Sequence, residues 1–124
     1  MNDNVLMVAE NDIIAGQLES LKALILEMSE VIQRDEPGTL NYEWYIAEDS
    51  KSAHAFERYT DSETCLHHLM SMRQQYGERL FACLTITKIT VYGNPSAQLR
   101  ELFAGAAPIY GSRFAGVARY VPIP

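Results

Sequence analysis

The amino-acid sequence predicts an α+β domain whose elements run β-α-β-β-α-β. Three observations lead there. Residues 16–35 carry apolar side chains at helical spacing, and residues 61–79 do so again. Short alternating or β-branched segments lie before, between and after these two stretches. Pro, Gly and Asp clusters separate the segments where a chain must turn. The 124 residues suit one domain. With 48% hydrophobic and 21% charged residues the composition is globular rather than disordered.

Val5-Leu6-Met7-Val8-Ala9 is apolar and partly β-branched, a buried first strand that turns polar at Glu10-Asn11-Asp12. Ile14-Ala15-Gly16 makes a turn. Leu18, Leu21, Leu24, Ile25, Met28, Val31 and Ile32 then form one apolar stripe with charged residues between them, an amphipathic helix. Asp35-Glu36-Pro37-Gly38 stops it, because Pro cannot continue the hydrogen-bond ladder and Gly permits the turn. Residues 39–46 alternate as a strand, Glu48-Asp49-Ser50-Lys51 turns, and residues 52–60 return. Thr60 or Asp61 caps the second helix, 61–79, whose Leu66, Leu69, Met70, Arg73 and Tyr76 fall at helical spacing. Residues 80–92 form a fourth strand. Asn94-Pro95 opens a short third helix ending near Gly105. Residues 114–121 are a candidate fifth strand, weakened by Gly116.

This order is the ferredoxin-like arrangement of two split βαβ units, with a four-stranded antiparallel sheet and both helices on one face. The other face needs a partner, since an uncovered apolar layer is unstable in water. A three-residue hairpin loop, Asp49-Ser50-Lys51, would set Tyr45 opposite Ala55, Glu43 opposite Glu57 and Asn41 opposite Tyr59. Leu40, Tyr42, Trp44, Ile46, Phe56 and Arg58 would then face the helices. Asn41, Glu43, Tyr45, Glu57 and Tyr59 would line a pocket on the other side. A four-residue loop would mix the two sets.

A net charge of −6 speaks against a nucleic-acid partner and an anionic membrane surface. No apolar run approaches the ~20 residues of a transmembrane helix, and residues 1–12 lack the features of a signal peptide. Two cysteines, Cys65 and Cys83, are too few for a disulfide scaffold and read as reduced thiols of a cytoplasmic protein.

The segments Glu36-Pro37-Gly38-Thr39-Leu40-Asn41-Tyr42-Glu43, Phe56-Glu57-Arg58-Tyr59-Thr60-Asp61-Ser62-Glu63 and Leu66-His67-His68-Leu69 resemble, in order and spacing, the antibiotic biosynthesis monooxygenase domain. The resemblance covers roughly residues 4–93, and residues 94–124 resemble a helix-and-arm extension found in part of that family. It implies a homodimeric α/β barrel with two sheets packed face to face, each enclosing a cavity. It implies a cofactor-independent monooxygenase acting with O₂ on a small hydroxyaromatic, quinol or polyketide-like substrate. The haem-degrading branch of the family uses an Asn on the first strand, which Asn11 resembles. It also uses a Trp where this chain has Tyr59, and a His late in the second helix that this chain lacks.

Among candidate residues, His68 lies where the family's second helix often has His. A side chain of pKa near 6.5 can take a phenolic proton at neutral pH. Alternatively His68 or His67 makes a core hydrogen bond or sits on the helix surface, and His54 is exposed. Glu43 and Glu57, if opposed, would repel, and burial would raise one of them into the range of a base or proton carrier. One of them could instead pair with Arg58, Arg79 or Arg113, or face solvent. Asn11 and Asn41 could donate hydrogen bonds to an oxyanion or peroxide. Tyr45 and Tyr59 could stack on an aromatic substrate or fill the barrel. Cys65, His68 and Met72 share a helix stripe, which reads as packing rather than a metal site. No phosphate-binding, dinucleotide-binding or zinc-protease motif occurs, so no cofactor and no metal are expected. The alternative to an oxygenase is a non-catalytic, small-molecule-binding or stress-related dimer of the same fold.

Overall fold

Residues 3–119 are described by a computed structural model. The elements are β1 (Val5–Ile13), α1 (Leu18–Asp35), β2 (Thr39–Ile46), β3 (Ser52–Tyr59), α2 (Ser62–Phe81), β4 (Leu84–Tyr92), α3 (Ala97–Phe103) and β5 (Ile109–Gly111). A 3-10 turn, Ala104–Ala106, follows α3. The strand order is β2-β3-β1-β4-β5. The first four strands are antiparallel, as a split βαβ pair requires. β5 adds to β4 in parallel, so the sheet is five-stranded and mixed rather than four-stranded and antiparallel.

Each helix forms for a local reason. In α1 the stripe Leu21, Leu24, Met28 and Ile32 is buried, each such side chain contributing about 1.5–3 kcal/mol of burial. Pro37 follows the C-cap residue Glu36 and ends the helix. Asp61, not Thr60, caps α2 by accepting the Thr64 N–H at 2.8 Å. α2 continues through Leu80 and Phe81, so β4 starts later than its β-branched run suggests. Ser96 caps α3, whose Leu99 and Phe103 join the core formed by Val5, Tyr59, Cys65 and Val91. At Gly93, where β4 ends, φ is +114° and a Cβ would stand 2.6 Å from the Asn4 carbonyl oxygen, so only glycine fits.

The hairpin has a four-residue loop. Ala47 N–H bonds to the Ser52 carbonyl, and Ser50 takes φ +61° inside the turn. This pairs Tyr45 with His54, Glu43 with Phe56 and Tyr42 with Glu57, one residue away from the expected register. Because side chains alternate, the one-residue step moves all of β3 to the other face. Glu57 and Tyr59 therefore point at the helices, while Phe56 and Arg58 lie on the open face beside Asn41, Glu43 and Tyr45. Leu6, Phe56, Tyr45 and Tyr92 are exposed there.

The arm beyond β5 is exposed, with Phe114 at 99%. No strand forms over residues 114–119, and the strand that does form, β5, precedes them. Tyr120 and the rest of the expected strand lie outside the described residues. Among the described residues no helix is long and apolar enough to cross a membrane.

Candidate active site

A cavity of about 420 Å³ lies between the sheet and the helices. Its walls are mainly apolar: Met7, Ala9, Met28, Leu69, Met72 and Ile89 among others. Polar groups converge at its inner end, the pattern expected of a ligand site. β2 supplies Tyr42 and Trp44, β3 supplies Glu57, and α2 supplies His68. The register that put Glu57 among the helices placed it here.

His68 is 2% exposed and is held from both sides. Its Nδ1 lies 2.6 Å from Glu36 Oε1, and its Nε2 lies 3.4 Å from Glu57 Oε1. The Tyr59 hydroxyl donates to the same Glu57 oxygen. Glu36 also accepts from Thr39 Oγ1 at 2.9 Å. The rings of Tyr42 and Tyr59 flank the imidazole at 5.5 and 5.1 Å between centroids. A continuous chain thus runs Thr39–Glu36–His68–Glu57–Tyr59.

The charges follow from this geometry. Burial works against the imidazolium, but the hydrogen bonds and charges of Glu36 and Glu57 outweigh it, and His68 is raised to about 9. Burial alone would raise Glu36. The hydrogen bond and charge of His68, together with Thr39, instead hold it below the ordinary carboxylate value. Burial, then the Glu57 charge, push the Tyr42 and Tyr59 phenols upward, so both remain protonated donors at neutral pH. The buried indole N–H of Trp44 makes no well-formed hydrogen bond among the described residues, though it faces the Tyr42 hydroxyl closely enough to oppose the rise of that phenol. The cavity thus offers an imidazolium, a carboxylate and an indole N–H side by side in a mainly apolar wall.

The sequence-predicted residues divide accordingly. His68 and Glu57 meet in the cavity. His68, however, is a cation rather than a neutral base at pH 7, because two carboxylates face it. Among the described residues Glu57 pairs with no arginine, and it does not oppose Glu43. Asn11 is buried and borders the cavity, but its amide Nδ2 donates to the Ala9 and Ala53 carbonyls at 3.2 and 3.0 Å. It steadies the β1 irregularity at Glu10/Asn11 rather than offering a donor to a ligand. Tyr59 is fully buried behind Glu57 and does not line the cavity. Asn41, Glu43 and Tyr45 lie on the open face and bond one another: Glu43 accepts from Asn41 at 2.8 Å and from Tyr45 at 2.9 Å. His67 is exposed, and His54 sits 3.8 Å from Glu10 on the open face. Cys65, His68 and Met72 form the buried stripe of α2, while Met70 and Arg73, expected on that stripe, are exposed. Among the described residues no cluster of three or more His, Cys, Asp or Glu side chains could hold a metal ion.

Glu36 is the site residue that the sequence reading passes over. A signal for it existed. A carboxylate at the C-terminal end of a helix faces the negative end of the helix dipole, an unfavourable place without a compensating cation. His68 is that cation.

No protein-family model matches the chain, and no curated protein sequence matches it. Solved structures do. MupZ from Pseudomonas fluorescens superposes with a TM-score of 0.84 at 25% identity, covering 96% of this chain and 91% of MupZ. SnoaB from Streptomyces nogalater, a cofactor-independent oxygenase, gives a TM-score of 0.64 at 15% identity over 77% of this chain and 96% of SnoaB. A candidate antibiotic biosynthesis monooxygenase from Caulobacter crescentus gives 0.63 at 14% identity over 73% of this chain and 86% of its own. Coverage of 96% takes in α3 and β5 in the match to MupZ. The chain has the ferredoxin-like fold of the antibiotic biosynthesis monooxygenases.

Proposed function

We propose that this chain is a cofactor-independent monooxygenase of a small hydroxyaromatic, quinol or polyketide-like molecule. The observation that carries the reading is the Glu36–His68–Glu57 chain ending in a largely apolar cavity. Glu57 is the base. Oε1 is engaged by Tyr59 and His68, and Oε2 is the atom that neither of those contacts occupies. Taking the hydroxyl proton leaves a substrate anion, which the His68 imidazolium and the Trp44 N–H stabilise in a medium that excludes water. The anion passes one electron to O₂, and the radical pair combines into a carbon–oxygen bond. The resulting peroxide anion takes the proton held on Glu57, and the hydroperoxide then breaks its O–O bond and the neighbouring C–H bond, losing water and leaving a carbonyl. For a substrate carbon bearing two hydrogens, one oxygen atom stays as a carbonyl and the other leaves as water with those hydrogens.

One feature favours a second reading. Oxygenation needs a base first, yet here an acid, the imidazolium, stands beside the carboxylate in the resting site. Such a pair also suits an oxygen-independent proton-in, proton-out reaction such as isomerisation, elimination or hydration. Turnover of naphthohydroquinones and anthrones under air and under argon separates the readings. Oxygen uptake matching product formation supports the monooxygenase, and equal turnover under argon supports the second reading. Binding of these compounds without turnover in either gas would make the chain a binding protein.

We further propose that the open sheet face pairs with the same face of a second copy. Its exposed Leu6, Phe56, Tyr45 and Tyr92 form an apolar layer that needs cover.

A further inference from the structure

We infer that Arg73 is a specificity-determining residue that reads a carboxylate at the far end of the substrate from its reacting hydroxyl. The inference rests on the proposed use of the cavity and adds to it the chemical class of the substrate.

The cavity runs from the buried His68 and Glu57 to exposed residues, among them Arg73, Phe81, Ile86 and Ala106. Along α2 two stripes wall it: His68 and Met72 at i and i+4, and beside them Leu69, Arg73 and Gly77 at i, i+4 and i+8. The second stripe, Leu69, Arg73 and Gly77, is apolar except for the guanidinium. Among the described residues no carboxylate or hydrogen-bond acceptor pairs with Arg73. By contrast Arg34, Arg58 and Arg79 are engaged by Asp35, Asn4 and Glu27. In a chain of net charge −6, an unpaired arginine on the wall of an apolar cavity calls for an anion from outside.

Two details aim it. Arg73 Cγ stands closer than Arg73 Cβ to where a Gly77 Cβ would sit, 3.5 against 4.0 Å, so the stem runs alongside Gly77, away from the His68 end of α2. Gly77, buried one turn from the end of α2, leaves the space beside that stem open, since a Cβ there would meet Arg73 Cγ at 3.5 Å. The five-residue step from His68 to Arg73 spans about 7.5 Å along the axis, so a rigid bicyclic molecule can bridge the two ends. A planar carboxylate matches the guanidinium fork with two parallel hydrogen bonds.

The test is a fluorescence titration of 6-hydroxy-2-naphthoate and of 2-naphthol, which lacks only the carboxylate, against wild type, Arg73→Gln and Arg73→Lys. Wild type is expected to bind the naphthoate at least tenfold tighter than 2-naphthol. Arg73→Gln should abolish that preference while changing 2-naphthol affinity less than twofold, and Arg73→Lys should keep part of it. An unchanged preference in Arg73→Gln, or equal loss of both ligands in a variant of wild-type circular dichroism, would overturn the assignment. If wild type bound neither naphthol, the cavity reading would fall and the assignment with it. If it bound both equally, only the assignment would fall.

Discussion

At the residue scale the decisive feature is a buried histidine clamped by two carboxylates. His68 is raised from 6.5 to about 9 when folded. Its contribution to stability is therefore complete below about pH 6.5 and disappears as pH rises through about 9, on the order of 3 kcal/mol. Glu36, lowered from 4.5, contributes above that value and loses its contribution as pH falls through its folded pKa. Urea denaturation of the wild type should show a plateau between about pH 5 and pH 6.5 and an alkaline decline. His68→Asn should lack the alkaline decline and be less stable at pH 6 by ~3–5 kcal/mol, because two buried carboxylates lose their counter-charge. For catalysis, Glu57→Gln should lower turnover ~10²–10⁴-fold, and wild-type turnover should fall above pH 9 as the imidazolium discharges. His68 was legible in the sequence because the chain has only three histidines, and Glu57 because it sits on a predicted strand within the family-like segment. Their mutual geometry was not legible. It depends on Glu36, which reads locally as the end of a helix, and on which face of β3 points inward.

At the element scale, what was legible was what repeats. The stripe of α1 and the alternation of β2 predict both elements to within two residues. The hairpin register was not legible, because one residue in the loop decides it and Ser50 adopts a left-handed conformation that serine seldom takes. The buried face of α2 was misread for a different reason. Leu66, Leu69 and Met70 outweigh Cys65, His68 and Met72 in hydrophobicity, yet the fold buries the latter three. β5, three residues long, is too short to carry a periodic signal. Gly77 supplies a test at this scale. A glycine inside a helix costs ~1 kcal/mol relative to alanine, and the added Cβ would make only ordinary contact with Arg73. Gly77→Ala should thus raise stability by up to about 1 kcal/mol. The same methyl group protrudes into the cavity wall, so 2-naphthol should bind more weakly. Denaturation and titration of one variant check both effects.

At the scale of the whole molecule, the two faces of the sheet have separate tasks. The helix-covered face holds the cavity, and the opposite face leaves apolar side chains in water. Dimerisation through that face is the expected consequence. Sedimentation at micromolar concentration should give about twice 14.0 kDa, and Phe56→Asp should shift the chain to a monomer. Because the cavity is walled by one chain, that monomer should still bind 2-naphthol. A dimer that survives Phe56→Asp unchanged would place the interface elsewhere.

The central claim is that an imidazolium, charged at neutral pH, stands beside the carboxylate base in the cavity. ¹⁵N-detected histidine spectra of the labelled protein test it most directly, with His68→Asn assigning the signal. The account predicts that both His68 ring nitrogens carry protons at pH 7 and that the ring titrates near pH 9. A neutral His68 ring at pH 7, titrating at or below 6.5, would contradict it.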